Sequence, residues 1–534
     1  MSTTNLKISF PFHPFLFVFL SPLVFFINSI NAHFYELYPA DLVLPTLLIL
    51  IPTILLWLGF RFFFKSSTKS GLLVSLIVIL FLSYGLIFKK LNEMTVDFEI
   101  QHQFFLVPFL GIFILGFLYC LKTKRKLNNI TTILNVITIA FIAALLAQLI
   151  AYDFNPYHIF EDDIDTSTQF HLTDSLDEYP DIYYIILDEY AGSKILNDRF
   201  DYDNSEFTDY LYTNGFTVPL ETQSNYFVSF LSLSSSLNMQ YVNFYADEVG
   251  VDARDPRLSY NLIHNNRTMQ ILESNGYSTI SFDSNWGPTN AIKIANQNLC
   301  EKSPAFNSEL LTMVLSNSML NPIYVDLLLP SDRERVLCIF SEIPEIQFES
   351  KKPIFVLAHI MLPHGPYAWG PNGEHKKIVS LSVLDIEESK KGYLDQLAFT
   401  NKMVQEMIEK IIDEKKRPKI IIIQSDHGTT DYDWINTTEN VELVEAVLSN
   451  PPKFDKHVNE LVEQKIHERF SNINYILLPD KNKNSLYNTM TPVNTFRVLF
   501  NDYFNTNFEI LEDRVFFSSY HKPYNFIDVT HLFG

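Results

Sequence analysis

Five long apolar stretches in the first third of the chain constrain the fold more than any other feature of the sequence. They cover roughly residues 12–31, 41–63, 71–88, 104–121 and 130–151. A helix needs about 20 consecutive apolar residues to cross the hydrocarbon core of a bilayer, and each stretch comes close to that length. The first could be taken for a signal peptide, but it lacks a small-residue cleavage site and four further stretches follow it. We therefore predict a transmembrane domain of five helices over residues 1–152.

The basic residues of the connecting loops predict how these helices are oriented. Lys and Arg concentrate in the segment FKSSTKS after the second stretch and in KTKRKLNN after the fourth. The loop after the first stretch contains Glu36 and Asp41 and no basic residue. Short loops rich in Lys and Arg stay on the cytoplasmic side. With a cytoplasmic N-terminus and five spans, we expect a multi-pass protein of the cell membrane whose residues after 152 lie on the extracytoplasmic side.

The acidic balance of the chain restricts its partners. The formal net charge is −21, and most of the acidic residues follow residue 152. Nucleic acid is excluded as a partner, because its phosphates require neutralisation by Lys and Arg. The predicted spans carry few charges at their centres, which disfavours an ion path or a proton relay. Residues 153–180 are polar and acidic, and we expect them to link the membrane helices to a folded domain.

Residues 181–534 have the pattern of an α/β domain. Short apolar runs of strand length occur at 182–187, 277–282, 353–360, 419–424 and 473–478. Helical patterns separate them, including a long amphipathic one from about 386 to 415. Continuous apolar strands that alternate with helices are typical of a mostly parallel sheet with helices on both faces.

Acidic residues and histidines follow three of these runs. They are Asp188 after the first run, His359 and His364 at and beyond the end of the third, and Asp426 and His427 after the fourth. In open parallel sheets chemistry collects at the carboxyl ends of strands, so these side chains are expected to share one edge. Each alone has an ordinary alternative role as a cap, a turn residue or a hydrogen-bonded histidine. Together they predict a site for a cation.

A serine-rich segment, residues 225–239, contains a candidate nucleophile. A stretch of helical character follows Ser229, so its hydroxyl is expected near a helix N-terminus, where backbone N–H groups stabilise an attached anion. A metal ion would supply the activation that a free serine lacks. The alternative is that these serines only cap and pack the helix. The residues by themselves leave Ser229, Ser232 and the trio 234–236 open as candidates.

Four motifs in a fixed order carry a family resemblance. They are the run 180–188, Ser229 with Ser232 three positions on, the segment from His359 to His364-Gly-Pro, and Ser425-Asp426-His427-Gly428. This set resembles the membrane-anchored, sulfatase-like branch of the alkaline phosphatase/sulfatase superfamily, which includes lipoteichoic acid synthases and phosphoethanolamine transferases. Those enzymes also resemble this chain in having five spans before an external catalytic domain. The resemblance implies a metal ion held by Asp188, Ser229, Asp426 and His427, with Ser229 as the nucleophile and His364 and His359 at the substrate phosphate.

The sequence also departs from this family. Sulfatases carry a C/S-x-P/A-S-R motif whose first residue is oxidised to formylglycine, whereas this chain has Leu231 and Leu233 in place of the Pro/Ala and the Arg. Ser229 stands where the transferases usually have Thr, which keeps a hydroxyl nucleophile. The transferases carry several disulfides, which the two external cysteines, Cys300 and Cys338, cannot supply. Whether these two cysteines pair is open, and the donor and acceptor of the transferases are not carried over.

We therefore expect a metal-dependent hydrolase or transferase that acts on phosphoesters, such as phosphodiesters or lipid head groups, at the outer membrane face. One divalent ion is expected, with Zn²⁺ or Mn²⁺ favoured over Ca²⁺ or Mg²⁺ because an imidazole joins the carboxylates. The membrane anchor suits an anionic substrate that is linked to lipid or to a surface polymer. Two alternatives stay open, a true sulfatase acting on sulfate esters and an inactive external domain used for binding or as a scaffold. The head group, the acceptor and the oligomeric state are not determined by the sequence.

Overall fold

The computed structural model divides the chain into two compact units. It describes residues 10–32, 39–94, 101–153, 179–301, 309–376, 385–413, 416–430, 438–479 and 485–533. The first unit comprises Met1–Ile159 and Lys302–Ser331, and the second comprises Phe160–Glu301 and Asp332–Gly534. The predicted linker, 153–180, lies almost entirely outside the described residues.

Helices make up the first unit. They are α1 His13–Ala32, α2 Val43–Phe64, α3 Ser67–Met94, α4 His102–Lys122 and α5 Asn128–Asp153. The segments that are long and apolar enough to cross a membrane are Ala40–Phe64, Ser67–Asn92, His102–Lys122 and Asn128–Ile150. Four of the five predicted spans are therefore confirmed. The first, predicted at 12–31, lies in α1, which is a shorter apolar helix over His13–Asn28, and a fifth span stays a prediction.

Apolar side chains cover the outside of these helices. Leu55, Phe62 and Leu115 are 63%, 89% and 69% exposed. A bundle in water would bury such residues, whereas the acyl chains of a bilayer solvate them. Length and exposed apolar surface together make α2, α3, α4 and α5 membrane helices.

A seven-stranded sheet organises the second unit. Its strands are β1 Asp181–Leu187, β2 Phe216–Thr217, β4 Ser278–Phe282, β5 Gln297–Leu299, β6 Ile354–Ile360, β7 Lys419–Gln424 and β9 Asn474–Leu477, in the spatial order β2-β9-β7-β1-β6-β4-β5. The strands from β7 to β5 are mutually parallel, and β9 runs antiparallel to both β7 and β2. Two small antiparallel pairs lie apart from it, β3 Thr222–Gln223 with β8 Ser471–Asn472, and β10 Phe516–Phe517 with β11 Ile527–Asp528. The predicted mostly parallel sheet is confirmed.

Helices connect these strands. They are α6 Ser193–Phe200, α7 Ser205–Thr213, α8 Ser229–Asn238, α9 Tyr245–Val249, α10 Arg257–His264, α11 Arg267–Ser274, α12 Gly287–Asn290, α13 Glu309–Ser316, α14 Asn321–Glu342, α15 Ile346–Glu349, α16 Ile386–Asp413, α17 Thr438–Ser449, α18 Lys456–Phe470 and α19 Pro492–Phe504. The long amphipathic helix predicted at 386–415 is α16. All five predicted strand runs are strands of the sheet.

Both faces of the sheet are buried. In β1, Tyr184 and Ile186 belong to one hydrophobic core, and Tyr183 and Ile185 belong to the other. Successive side chains of a strand alternate between its two faces, so a strand covered on both sides favours apolar residues at most of its positions. This is why the central strands β1, β6 and β7 are mostly apolar runs in the sequence, with polar residues near their ends.

One segment of the predicted external domain packs elsewhere. α13 contacts α1 and α2, and its Leu310 and Val314 are buried. The sequence predicted a continuous domain over 181–534, and the eight residues of α13 are too few for the pattern of a membrane span. The structure instead groups Lys302–Ser331 with the membrane helices.

Cys300 and Cys338 form a disulfide in the second unit, which answers the question of pairing that the sequence left open. The two cysteines lie on either side of the segment Lys302–Ser331. Disulfides persist in oxidising compartments, in keeping with a domain outside the cell membrane. Cys120, in α4, is a free and buried thiol.

Candidate active site

The central strand and its two neighbours bring the predicted residues to one edge of the sheet. β1 lies between β6 and β7, where His359 and Gln424 pair from opposite sides with the same β1 residue. Asp188 directly follows β1, and Asp426 and His427 follow β7. Because these three strands are parallel, their carboxyl ends share one edge.

Two carboxylates and one imidazole form the centre of this edge. One ligand atom from each of Asp188, Asp426 and His427 lies within 4.8 Å of the other two, and all three side chains are buried. Among the described residues, Asp188 Oδ1 and Asp426 Oδ2 have no hydrogen-bond partner. Buried carboxylate oxygens without a donor are costly, and a bound cation would satisfy both.

The two carboxyl groups respond differently to their surroundings. Burial raises the pKa of Asp188 well above its ordinary value, and the neighbouring charge of Asp426 raises it further. Burial also acts to raise the pKa of Asp426, but the neighbouring groups, His427 first and then His359 and Arg469, outweigh it, and the pKa is lowered overall. Two carboxylates this close disfavour each other's ionisation unless a cation lies between them.

His427 contacts its neighbours through one ring nitrogen. Its Nε2 lies 2.9 Å from Ser229 Oγ, 3.0 Å from Asp426 Oδ2 and 2.8 Å from Arg469 Nη2. Its Nδ1 lies 2.9 Å from the carbonyl oxygen of Gly428. A carbonyl can only accept a hydrogen bond, so Nδ1 carries the proton and the lone pair of Nε2 faces the site. This is the tautomer of a histidine that binds a metal.

Ser229, the first residue of α8, presents its hydroxyl to the same place. The backbone N–H groups and the dipole of a helix N-terminus favour negative charge there. Ser232, about one turn along, instead donates to the carbonyl oxygen of Asp426 at 2.6 Å and fastens α8 to the loop after β7. The hydroxyls of the trio 234–236 donate to backbone carbonyls. Of the five candidate serines, all of them described, Ser229 is the one whose hydroxyl contacts His427.

His359 lies inside the protein at the carboxyl end of β6. Its Nδ1 is 2.9 Å from Thr289 Oγ1, and its Nε2 is 3.9 Å from Asp188 Oδ2. The Trp286 ring packs edge-on against the imidazole. Burial lowers the pKa of His359 to about 4, so the ring is neutral at neutral pH. The structure therefore places a neutral imidazole beside the Asp188 carboxylate.

His364 lies on the solvent side of the site, and its side chain is 36% exposed. Its backbone N–H donates to the carbonyl oxygen of Asp188 at 3.2 Å, and its Nε2 lies 3.8 Å from Glu189 Oε2. Burial acts to lower the pKa of His364, but the charges of Asp188 and Glu189 raise it overall. Of the two predicted histidines, His364 is the one with the raised pKa and the one that is exposed to solvent.

The sequence motifs missed Arg469, a buried residue near the end of α18. Its Nη1 donates to Glu189 Oε1 at 2.9 Å, and its Nη2 donates to His427 Nε2 at 2.8 Å. Glu189 has a φ of 63°, which residues other than glycine rarely adopt, and its backbone N–H donates to Asp426 Oδ1 at 3.1 Å. Arg469 follows His427 by 42 residues and belongs to no motif, so spacing gives no signal for it.

The charges of the site fit a bound cation. Three carboxylates, those of Asp188, Glu189 and Asp426, surround one permanent cation, the guanidinium of Arg469. Ionisation of all three leaves the site with more negative than positive charge, which a bound cation would offset. Carboxylate oxygens together with an imidazole nitrogen suit Zn²⁺ or Mn²⁺.

Solved structures that resemble this chain include phosphoethanolamine transferases. The integral membrane protein lipooligosaccharide phosphoethanolamine transferase A from Neisseria meningitidis is 11% identical over 88% of this chain and 89% of that chain, with a TM-score of 0.39. The C-terminal periplasmic domain of EcEptC from Escherichia coli, in complex with Zn, is 12% identical over 67% of this chain and 95% of that chain, with a TM-score of 0.39. The same domain of EptC from Campylobacter jejuni is 13% identical over 63% of this chain and 92% of that chain, with a TM-score of 0.36. No family model and no curated protein matches the chain, and likenesses this slight carry no functional argument.

Proposed function

We propose that this chain hydrolyses or transfers a phosphoester at the outer face of a membrane, with Ser229 as the nucleophile. The observation that carries the proposal is the position of Ser229 Oγ, at the first residue of α8 and 2.9 Å from His427 Nε2, beside the two buried carboxylates. A hydroxyl at that point is surrounded by groups that stabilise its anion. A structural serine has no need of such surroundings.

The proposed metal ligands are Asp188, Asp426 and His427, with Ser229 Oγ completing the set. A divalent ion bound there would lower the pKa of the serine hydroxyl and offset negative charge on the phosphoryl oxygens. The backbone N–H groups of Glu189 and His427 donate to Asp426 Oδ1 at 3.1 and 2.9 Å, which holds this carboxylate in place. The backbone therefore fixes the position of Asp426, one of the proposed metal ligands.

In the proposed reaction the Ser229 hydroxyl releases its proton to solvent, and its oxygen forms a bond to phosphorus. The bond between phosphorus and the leaving oxygen breaks, and His364 donates its proton to that oxygen. The enzyme then carries a phosphoserine. Attack by water completes a hydrolysis, and attack by an acceptor hydroxyl completes a transfer; in both cases the bond from Ser229 to phosphorus breaks and the serine regains a proton.

Three further side chains serve this chemistry. His364, partly exposed and with a raised pKa, suits contact with phosphoryl oxygens and protonation of the leaving group. His359 stays neutral, and its ring lies beside the Asp188 carboxylate, which it helps to position. Arg469 keeps a permanent positive charge next to His427, which stabilises the added negative charge of a phosphoryl group.

A phosphoester is proposed over a sulfate ester because of the residues around Ser229. Leu231 and Leu233 take the places of the Pro/Ala and the Arg that accompany formylglycine formation in sulfatases. The serine is therefore expected to keep its hydroxyl. The membrane helices favour a substrate held in or near the bilayer, namely a lipid head group or an anionic surface polymer.

The full chain in detergent, assayed against aryl phosphodiesters, phosphomonoesters and sulfate esters with and without chelator, tests the proposal. We expect cleavage of a phosphoester that stops on chelation, and a phosphorylated Ser229 peptide in acid-quenched samples. Formylglycine at position 229 would instead establish the sulfatase. A protein that binds no divalent ion and cleaves no ester would establish a binding or scaffold domain.

A further inference from the structure

A segment that lies between the two cysteines of the second unit is built into the first unit. Lys302–Ser331 belongs to the first unit, and α13, its first described helix, contacts α1 and α2. Within it, Leu310 is fully buried in a cluster with Phe26 of α1, and Val314 is buried in a cluster with Trp57 of α2. The eight-residue helix α13 is too short to span a membrane, yet the membrane helices bury its apolar side chains Leu310 and Val314.

The backbone of this segment bonds directly to the backbone of α3. The N–H of Gly85 donates to the carbonyl oxygen of Asn317 at 3.0 Å, and the N–H of Met319 donates to the carbonyl oxygen of Phe81 at 2.8 Å. Gly85 and Phe81 are four residues apart, so in a regular α-helix the N–H of Gly85 donates to the carbonyl oxygen of Phe81. In this protein both groups hydrogen-bond to the segment, the N–H of Gly85 to Asn317 and the carbonyl oxygen of Phe81 to Met319. We call these two bonds the Gly85 clamp.

Only glycine fits at position 85. A Cβ there would lie 2.6 Å from the carbonyl carbon and 2.7 Å from the Cα of Asn317, distances that real Cβ atoms essentially never show. These are backbone atoms, which cannot rotate away. By contrast, a Cβ at Gly59 of α2 or at Gly111 of α4 would meet nothing within 4 Å. The glycine of α3 is therefore a requirement of the clamp, and the other two are matched controls.

The clamp lies inside a membrane-spanning segment, Ser67–Asn92. Gly85 is about 14 Å along the helix from its end at Met94, at 1.5 Å per residue. Non-helical backbone is tolerated at such depth only where protein buries it and satisfies its polar groups. Ser318, between the two clamped residues, is fully buried, and its hydroxyl donates to the carbonyl oxygen of Leu315 at 2.9 Å. The segment therefore meets both conditions at Ser318.

We propose that residues 309–320 are a re-entrant membrane segment whose docking partner is α3. Through the Gly85 clamp, this segment attaches the second unit to the membrane helices independently of the chain connection after α5. The disulfide between Cys300 and Cys338 closes the base of the insertion, so the segment is tied to the second unit at both ends. The second unit then has two anchors.

Cleavage of the chain connection after α5 tests whether the Gly85 clamp alone holds the second unit to the membrane helices. A protease site is placed between residues 160 and 170 of the full chain, and the two termini carry different affinity tags. After cleavage in detergent, the two fragments are expected to co-purify. Gly85→Leu is expected to lower the co-purified fraction about tenfold, in the range for overpacking of a tight contact, whereas Gly111→Leu leaves it unchanged. Separation of the wild-type fragments, or equal behaviour of the two leucine variants, would overturn the proposal.

Labelling of an added thiol in the uncut chain distinguishes undocking from general misfolding. Ser318→Cys is expected to resist a membrane-impermeant maleimide, and to react about tenfold faster when Gly85→Ala is added, since even one methyl group overpacks the clamp. Gly111→Ala is the control and leaves the rate unchanged. Cys120 must stay unreactive in every variant, which shows that the helices remain folded. Rapid labelling of Ser318→Cys without a change at Gly85 would contradict the proposal.

Discussion

The two units of this chain differ most in the polar side chains that they bury. In the described helices of the first unit these are mainly hydroxyls and an amide, such as Thr53, Ser75 and Asn135. The second unit buries the charged groups of Asp426 and Arg469 close together at one edge of its sheet. A buried charge costs several kcal/mol unless a partner offsets it. Among the described residues, the second unit also buries the pairs Arg335–Asp283 and Arg417–Asp181. The cluster around Asp426 and Arg469 differs from these pairs because it includes carboxylate oxygens without a hydrogen-bond donor, and this is where we propose the chemistry.

The largest expected effect tests whether that chemistry depends on Ser229. Ser229→Ala should lower kcat/KM for a phosphodiester by at least about a thousandfold, as removal of a nucleophile does in other hydrolases. Ser234→Ala is the matched control, because that serine is also buried but its hydroxyl donates to the carbonyl oxygen of Leu231. Equal activity of the two variants would remove the nucleophile from the proposal.

The next effect concerns the buried guanidinium. Arg469→Met leaves the carboxylate of Glu189 buried without its partner, so the free energy of unfolding should fall by about 3–5 kcal/mol. Adding Glu189→Gln should recover part of this loss, because it removes the unpaired charge. Denaturant unfolding of the full chain in detergent, followed by tryptophan fluorescence, measures both. A mild effect of Arg469→Met would mean that the ion pair contributes little.

Metal binding should give a somewhat smaller shift in stability. At a free metal concentration of about 100 times Kd, one site stabilises the folded protein by about 2.7 kcal/mol. Asp426→Asn should abolish this shift, and Asp198→Asn, at an exposed position, should retain it. Thermal melts with Zn²⁺ or Mn²⁺, before and after chelation, measure the shift. Stabilisation of the Asp426 variant equal to that of wild type would place the ion elsewhere.

The smallest effect should come from the lipid-facing surface of the first unit. Leu55, which is 63% exposed, should tolerate Leu55→Ala within about 0.5 kcal/mol. Ile185→Val, in the buried sheet, removes one methyl group and should still cost about 1 kcal/mol. The same unfolding assay, carried out on the full chain with each substitution, compares the losses of stability caused by Leu55→Ala and Ile185→Val. A large loss for Leu55→Ala would show that another protein surface covers that face.

Much of this arrangement could be predicted from the sequence, because burial on two faces leaves a simple pattern. The central strands are mostly apolar runs, and the polar residues that follow them mark the edge where side chains converge. Asp188, Asp426 and His427 could be named in this way, and the structure brings them together. Ser229 needed the resemblance as well, since the residues alone did not separate it from its neighbouring serines.

The rest could not be predicted, because the contacts depend on packing between distant segments. Arg469 reaches His427 across 42 residues of chain, with no motif to mark it. Gly85 is one of several glycines in the membrane helices, and only its neighbour Asn317 reveals its role. α13 is too short to be recognised as a membrane element, so its segment was assigned to the external domain. The pairing of Cys300 with Cys338 likewise depended on the fold.

The disulfide at the base of the insertion has a consequence for how such a protein can evolve. Since Cys300 and Cys338 are joined, the stretch between them forms a closed loop that begins and ends at one point of the second unit. The loop can lengthen, shorten or change its sequence while the strands on either side stay where they are. Related proteins could thus change the length of this loop to suit a thicker or thinner bilayer without displacing Asp188, Asp426 and His427.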